Sequence, residues 1–103
     1  MNVITLIYST YPSAEKAQSA FTRLLEERLV GCGVVLPVIS SYWWHGAIAS
    51  DNEWVLIAKT LPYKVLLVEK RIIEIHEYQV PCIICIEAQA SDAYVAWLAE
   101  NVQ

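Results

Sequence analysis

The sequence predicts an α+β fold, with elements in the order β-α-β-β-α-β and one more helix at the C-terminus. Three observations predict it: a short apolar run that gives way to helical spacing, a long β-branched and aromatic run that turns back on itself, and a second amphipathic stripe leading into a further apolar run.

Taken in order, Asn2 to Ser9 is a nearly continuous apolar run, which suits a strand buried on both faces in the middle of a sheet. Thr10-Tyr11-Pro12 ends it. Ser13 is a good N-cap with Glu15 in the first turn, and Ala17, Ala20, Phe21, Leu24, Leu25 and Leu29 keep helical spacing up to Gly31, so the first helix is expected over 14–30. Gly33 to Gly46 is strand-like apart from Pro37, which implies an edge position or a bulge because proline cannot donate to a ladder. Gly46 and Asp51-Asn52 carry turn chemistry, and Glu53 to Thr60 reads as the returning strand of a hairpin. Pro62 opens a helix expected over 63–75, whose stripe is Val65, Val68, Ile72 and Ile75. Cys82 to Ala88 follows as the fourth strand. Ser91 and Asp92 then start a last helix with Tyr94, Trp97, Leu98 and Asn101 at helical spacing. This is the split βαβ, ferredoxin-like pattern, one domain over residues 1–103 with its helices expected on one face of a four-stranded sheet.

The second strand is too long for the molecule. About 14 residues at 3.3 Å each extend roughly 45 Å, whereas a chain of this size has a radius of gyration near 13 Å. Trp43 and Trp44 are neighbours on a strand and face opposite sides, so one core buries only one of them easily. A hairpin bearing both is expected to pair with other subunits, with Tyr42, Trp43, Trp44 and Trp54 at the interface.

Composition points the same way. Apolar residues make up 56 % of the 103 residues and charged residues 17 %, an apolar-rich balance that places some surface in an interface. A formal net charge of −4 with no basic stripe argues against nucleic acid as a partner. No apolar run reaches the length of a membrane span and the N-terminus lacks a signal-peptide pattern, so a cytoplasmic protein is expected. The three cysteines, Cys32, Cys82 and Cys85, are an odd number and read as free thiols.

Few side chains suggest chemistry. Cys82 and Cys85 have the spacing of a metal or redox pair, yet on a strand they point to opposite faces and cannot share one ion. Cys32 is either a small buried hydrophobe or a thiol available to soft metals. His45 lies at the hairpin bend. His76 follows the second helix, where the helix dipole favours it; beside Glu77 and Tyr78 it is equally a borderline metal ligand. Lys59, near the end of an apolar strand, either snorkels from an edge or lines a cleft. No nucleophile with an orienting base, no phosphate-binding glycine loop and no zinc-enzyme signature is present, so an enzyme is not expected.

Tyr42-Trp43-Trp44-x-Gly46, Ile57-Ala58-Lys59-Thr60 and His76-x-Tyr78-x-Val80-Pro81 together closely resemble the CutA family of divalent-cation tolerance proteins. Glu27-Arg28-Leu29-Val30-Gly31-Cys32 and Tyr94-Val95-Ala96-Trp97-Leu98 extend the resemblance over almost the whole chain. It implies a ferredoxin-like subunit in a homotrimer with hairpins shared between subunits. It also implies an association with copper and other divalent ions, and a likeness to PII signalling trimers, which bind small molecules in clefts between subunits. The chain departs from the family pattern at Glu77, Gln79 and Cys82, where Pro, Glu and Glu are usual, and at His45 and Ala47, where Glu and Lys are common. With two carboxylates replaced by an amide and a thiol, copper or zinc is expected over harder cations. The expected metal ligands are His76, Cys32 and His45. The expected ligand cleft has imidazole from His76, a hydrogen bond from Tyr78, anion pairing from Lys59, and Trp44 in its wall. The alternative expectation is a PII-like regulatory or scaffolding trimer that holds a small anionic ligand or a partner protein at clefts between subunits.

Overall fold

The computed structural model describes residues 2–103. Its strands are β1 (Asn2–Tyr11), β2 (Cys32–Trp44), β3 (Ala47–Thr60) and β4 (Ile83–Ala90); its helices are α1 (Ala14–Glu26), α2 (Val65–Ile75) and α3 (Asp92–Asn101). The antiparallel sheet has the order β2-β3-β1-β4. The apolar β1 is therefore interior, and Pro37 sits on the edge strand β2, where its missing N–H breaks no inner ladder.

One face of the sheet is covered by α1 and α2. Ile7 and Tyr11 of β1, Leu56 and Ala58 of β3, Ala17, Ala20, Phe21 and Leu24 of α1, and Val68 and Ile72 of α2 form the main core. Each large aliphatic side chain buried there contributes about 1.5–3 kcal/mol. A bidentate pair from Arg71 to Glu27, with Nε–Oε1 at 2.8 Å and Nη2–Oε2 at 3.0 Å, ties α2 to the end of α1. The third helix does not join these two. Leu98 packs with Ile4, Leu61 and Val102, and with Leu6, Ala88 and Ala90 around them. Ile4 and Leu6 alternate with Ile7 along β1, so α3 lies against the opposite face.

Several boundaries differ from expectation, each for a local reason. The first helix stops at Glu26, because Arg28 takes a left-handed φ of 58° and its N–H and that of Leu29 close back on the carbonyls of Leu25 and Leu24. That is a Schellman ending built on arginine. Gly31 is spared that role and is needed for packing: a Cβ there would stand 2.5 Å from Leu98 Cδ1. Pro62–Lys64 form a short 3₁₀ turn before α2. The expected loop at Asp51-Asn52 is strand, since β3 begins at Ala47 and the hairpin turns on His45 and Gly46 alone, with φ values of 48° and 79°. Positive φ at both central residues is the turn type whose twist suits a two-residue hairpin.

As a result β2 and β3 outrun the sheet. β1 pairs with β3 only as far as Tyr11 opposite Trp54, while β2 and β3 continue together to Trp44 opposite Ala47. The last seven or so pairs, about 23 Å of ribbon, have no third strand beside them. Trp43, Trp44 and Ile48 on this arm are 74 %, 63 % and 70 % exposed, and the molecule measures 46 × 25 × 21 Å.

Gly33 approaches β3 so closely that a Cβ would lie 2.6 Å from the Ile57 carbonyl oxygen, an atom of the sheet backbone that cannot swing aside. Gly33→Ala is expected to lower stability by about 1–3 kcal/mol, seen as a lower urea midpoint at unchanged slope.

Candidate functional site

A cleft of about 650 Å³ lies where the arm leaves the sheet. Its walls are Tyr42, Trp43 and Trp44 of β2, Asp51 and Glu53 of β3, Thr10 of β1, and Tyr78, Gln79, Val80 and Cys82 from the segment before β4. Strand alternation sets this arrangement: Asp51 and Glu53 are two apart on β3 and share a face, as do Tyr42 and Trp44 on β2. Tyr42 stands opposite Ala49, and its phenol reaches diagonally to donate a short hydrogen bond to Asp51 Oδ2. From the other side the Tyr78 phenol donates to Glu53 Oε2 at 2.8 Å. Both phenols are driven above their ordinary range, Tyr78 by burial first and then by Glu53, Tyr42 by its bond to Asp51 first. They remain protonated donors, so each phenol fixes the carboxylate it faces. Burial, and then Glu53, pushes the Cys82 thiol up as well. None of the residues lining the cleft carries a positive charge.

His76 shapes this cleft without lining it. The Tyr78 backbone N–H donates to His76 Nδ1 at 3.0 Å, which assigns the ring proton to Nε2, 2.7 Å from the Thr10 carbonyl. The ring stacks on Tyr11 at 4.6 Å and lies 4.6 Å from the ring of Tyr78. Both nitrogens are engaged, so in this arrangement the imidazole braces the turn that aims Tyr78 at Glu53. It has no lone pair left for a metal.

The other expected metal ligands do not meet it. Cys32, at the start of β2, is half-buried with Sγ 2.7 Å from Tyr94 Oη. His45 is at the far tip of the arm, its ring 4.7 Å from that of Trp44, about 40 Å from Cys32 along the strand. Lys59 pairs with Cys32 across β2 and β3, and its Nζ sits 5.4 Å from the centre of the Tyr94 ring. Within one chain it therefore lies at the opposite end of β3 from the aromatic cleft, apart from Trp44 and Tyr78, with which it is expected to share a cleft between subunits. Cys82 precedes β4 and Cys85 lies within it; both are exposed, free thiols. Among the described residues no group of three or more His, Cys, Asp or Glu side chains is close enough to hold a metal ion. Sequence reasoning missed Asp51 and Glu53, having put Asp51 in a turn. The alternation Asp51-x-Glu53 leading into an apolar strand was the available signal.

His76→Ala removes two side-chain hydrogen bonds and two ring contacts, and is expected to cost about 1–3 kcal/mol. Because Tyr78 loses its support, its aromatic ring signals in NMR should also broaden or shift. Unchanged Tyr78 signals would exclude the brace.

Comparison with known proteins places this geometry. The family model described as CutA1 divalent ion tolerance protein matches residues 5–101. A divalent-cation tolerance protein CutA of Thermotoga maritima is 37 % identical over 98 residues, covering 94 % of this chain and 97 % of that one. The solved structure of the periplasmic divalent cation tolerance protein CutA of Archaeoglobus fulgidus superimposes with a TM-score of 0.94 at 34 % identity, covering 97 % of this chain and 99 % of that chain. The crystal structure of CutA1 from Pyrococcus horikoshii superimposes with a TM-score of 0.93 at 34 % identity, covering 96 % and 98 %. With the match running through every strand and helix, the chain belongs to the CutA1 divalent ion tolerance family.

Proposed function

We propose that this chain is a cation-binding member of its family, acting as a homotrimer that takes up copper or zinc at the cleft beneath the arm. The observation that carries this reading is the pair of carboxylates, Asp51 and Glu53, each fixed by a phenol donor in a cleft whose lining residues include no cation. Cys82 adds a thiol to the lining of the same cleft, and oxygen donors with one sulfur suit borderline ions such as copper and zinc. These donors fit a divalent ion in kind, but within one chain they do not come close enough together to hold it. A neighbouring copy supplies the remainder in the proposed assembly, and His45, at the tip of the arm, is the imidazole placed to reach across. The same assembly covers the exposed tryptophans, with Tyr42, Trp43, Trp44 and Trp54 at the contact.

The reading is of a binding protein and not of a catalyst. A reducing cytoplasm suits its three free thiols. The alternative, an anionic ligand or a partner protein held at a cleft between subunits, has less behind it within one chain, where Lys59 stands beside Tyr94 and not in the aromatic cleft.

Two measurements test the proposal. In sedimentation at micromolar concentration the particle should have three times the 11.7 kDa chain mass; a lone chain would overturn the assembly. In calorimetric titration with Cu²⁺ and Zn²⁺, Tyr78→Phe should lower affinity on the order of 10- to 100-fold, the usual cost of losing the partner that orients a ligand. Asp51→Asn with Glu53→Gln should abolish binding. Equal affinity in that double variant and the wild type would sink the metal site.

A further inference from the structure

A second, smaller cleft opens on the helical side of the sheet, away from the arm. It encloses about 170 Å³ between α1 and the end of α2, and is lined by Tyr11, Pro12, Lys16, Ser19, Ala20, Arg23, Ile75, His76 and Glu77. We propose that this cleft binds a compact oxyanion, a phosphate group, between Lys16 and Arg23.

The argument starts from helix spacing. Lys16, Ser19, Ala20 and Arg23 fall at i, i+3, i+4 and i+7 of α1, which is one stripe of the helix. The small Ser19 and Ala20 leave the floor open, and the two long cations flank it from positions about 10 Å apart along the axis. The chain has only seven Lys and Arg in all and a net charge of −4, so two cations on one small cleft form a local reversal of the overall charge. Of the acids near α1, Glu15 and Glu26 border the adjoining groove, which Arg23 also lines, and Glu27 senses the charge of Arg23, but none of the three lines this cleft. The opposite wall is rigid, because Tyr11 and His76 are stacked and both His76 nitrogens are already bonded. An arginine fork beside a lysine point charge is the pairing that recognises phosphate oxygens. The volume also selects: drug-sized ligands need about 300 Å³ or more, so a nucleoside is too large and a single oxyanion with a small tail is not.

One carboxylate faces the cleft. Glu77 Oε2 lies 3.6 Å from Lys16 Nζ, with both side chains half-exposed. This long, solvated contact is weak and occupies the lysine in the absence of a ligand. An incoming oxyanion displaces Glu77 from Lys16, so Glu77 acts as an internal competitor.

The experiment is calorimetric titration of the full chain with inorganic phosphate and, separately, with glycerol 3-phosphate, at ionic strength held constant with chloride. Saturable binding is expected for at least one. Tighter binding of glycerol 3-phosphate would identify an esterified phosphate, and tighter binding of inorganic phosphate the free ion. Arg23→Gln, which keeps a good helix former, should weaken the bound species about tenfold or more by removing the charged fork. Glu77→Gln should strengthen it severalfold by removing the competitor. Circular dichroism of both variants should match the wild type, since both side chains are at the surface. Absence of saturation with both ligands in the wild type and in Glu77→Gln would overturn the proposal, as would an Arg23→Gln variant that binds like the wild type. Cu²⁺ and Zn²⁺ titrations should be unmoved by Arg23→Gln, which separates this cleft from the cation site.

Discussion

Everything unusual in this molecule follows from one mismatch of length: β2 and β3 pair with each other well past the point where β1 can follow. An isolated two-stranded ribbon is marginal in water and presents edges and apolar side chains to any neighbour. Here the ribbon ends in two tryptophans and begins to separate from the sheet beside Asp51 and Glu53, so the place that needs a partner is also the place that holds the carboxylates. In the proposed assembly a second copy would cover the exposed strand pair and stand beside the carboxylates at the same place, so both proposals rest on the one overhang.

His76 links the two clefts. Its ring lies between Tyr11, which lines the helical cleft, and Tyr78, which orders Glu53 in the arm cleft. With one nitrogen accepting from backbone and the other donating to backbone, it is a structural pin in a segment that lacks regular secondary structure. A histidine beside a glutamate and a tyrosine in sequence suggests metal ligation. Hydrogen bonding to Thr10, 66 residues away, decides otherwise, and that contact has no trace in the local pattern.

Much of the fold was legible. Alternation and helical spacing are local consequences of backbone geometry, so the order of elements, the interior β1 and the caps at Ser13 and Ser91 could be read directly, while Pro37 left an edge or a bulge open and the sheet order decided for the edge. Legibility failed where two local signals competed. Asp51-Asn52 carries turn chemistry, but pairing with Ser40 and Ile39 across the ribbon keeps it in a strand. Gly31 looks like a helix stop, but Arg28 ends the helix and Gly31 makes room for Leu98.

The sequence by itself determined the α+β class, the family, and the existence of an overlong strand pair tipped with tryptophan, because each depends on residue type and spacing within one segment. Only the tertiary structure decided which side chains meet. It put Cys32, His45 and His76 in three separate places, moved Lys59 away from the aromatic cleft, and assembled Asp51, Glu53, Tyr78 and Cys82 from two distant stretches of chain. The reason is physical: a strand's faces follow from its own alternation, but what lies across from them follows from register and packing, which no single segment contains.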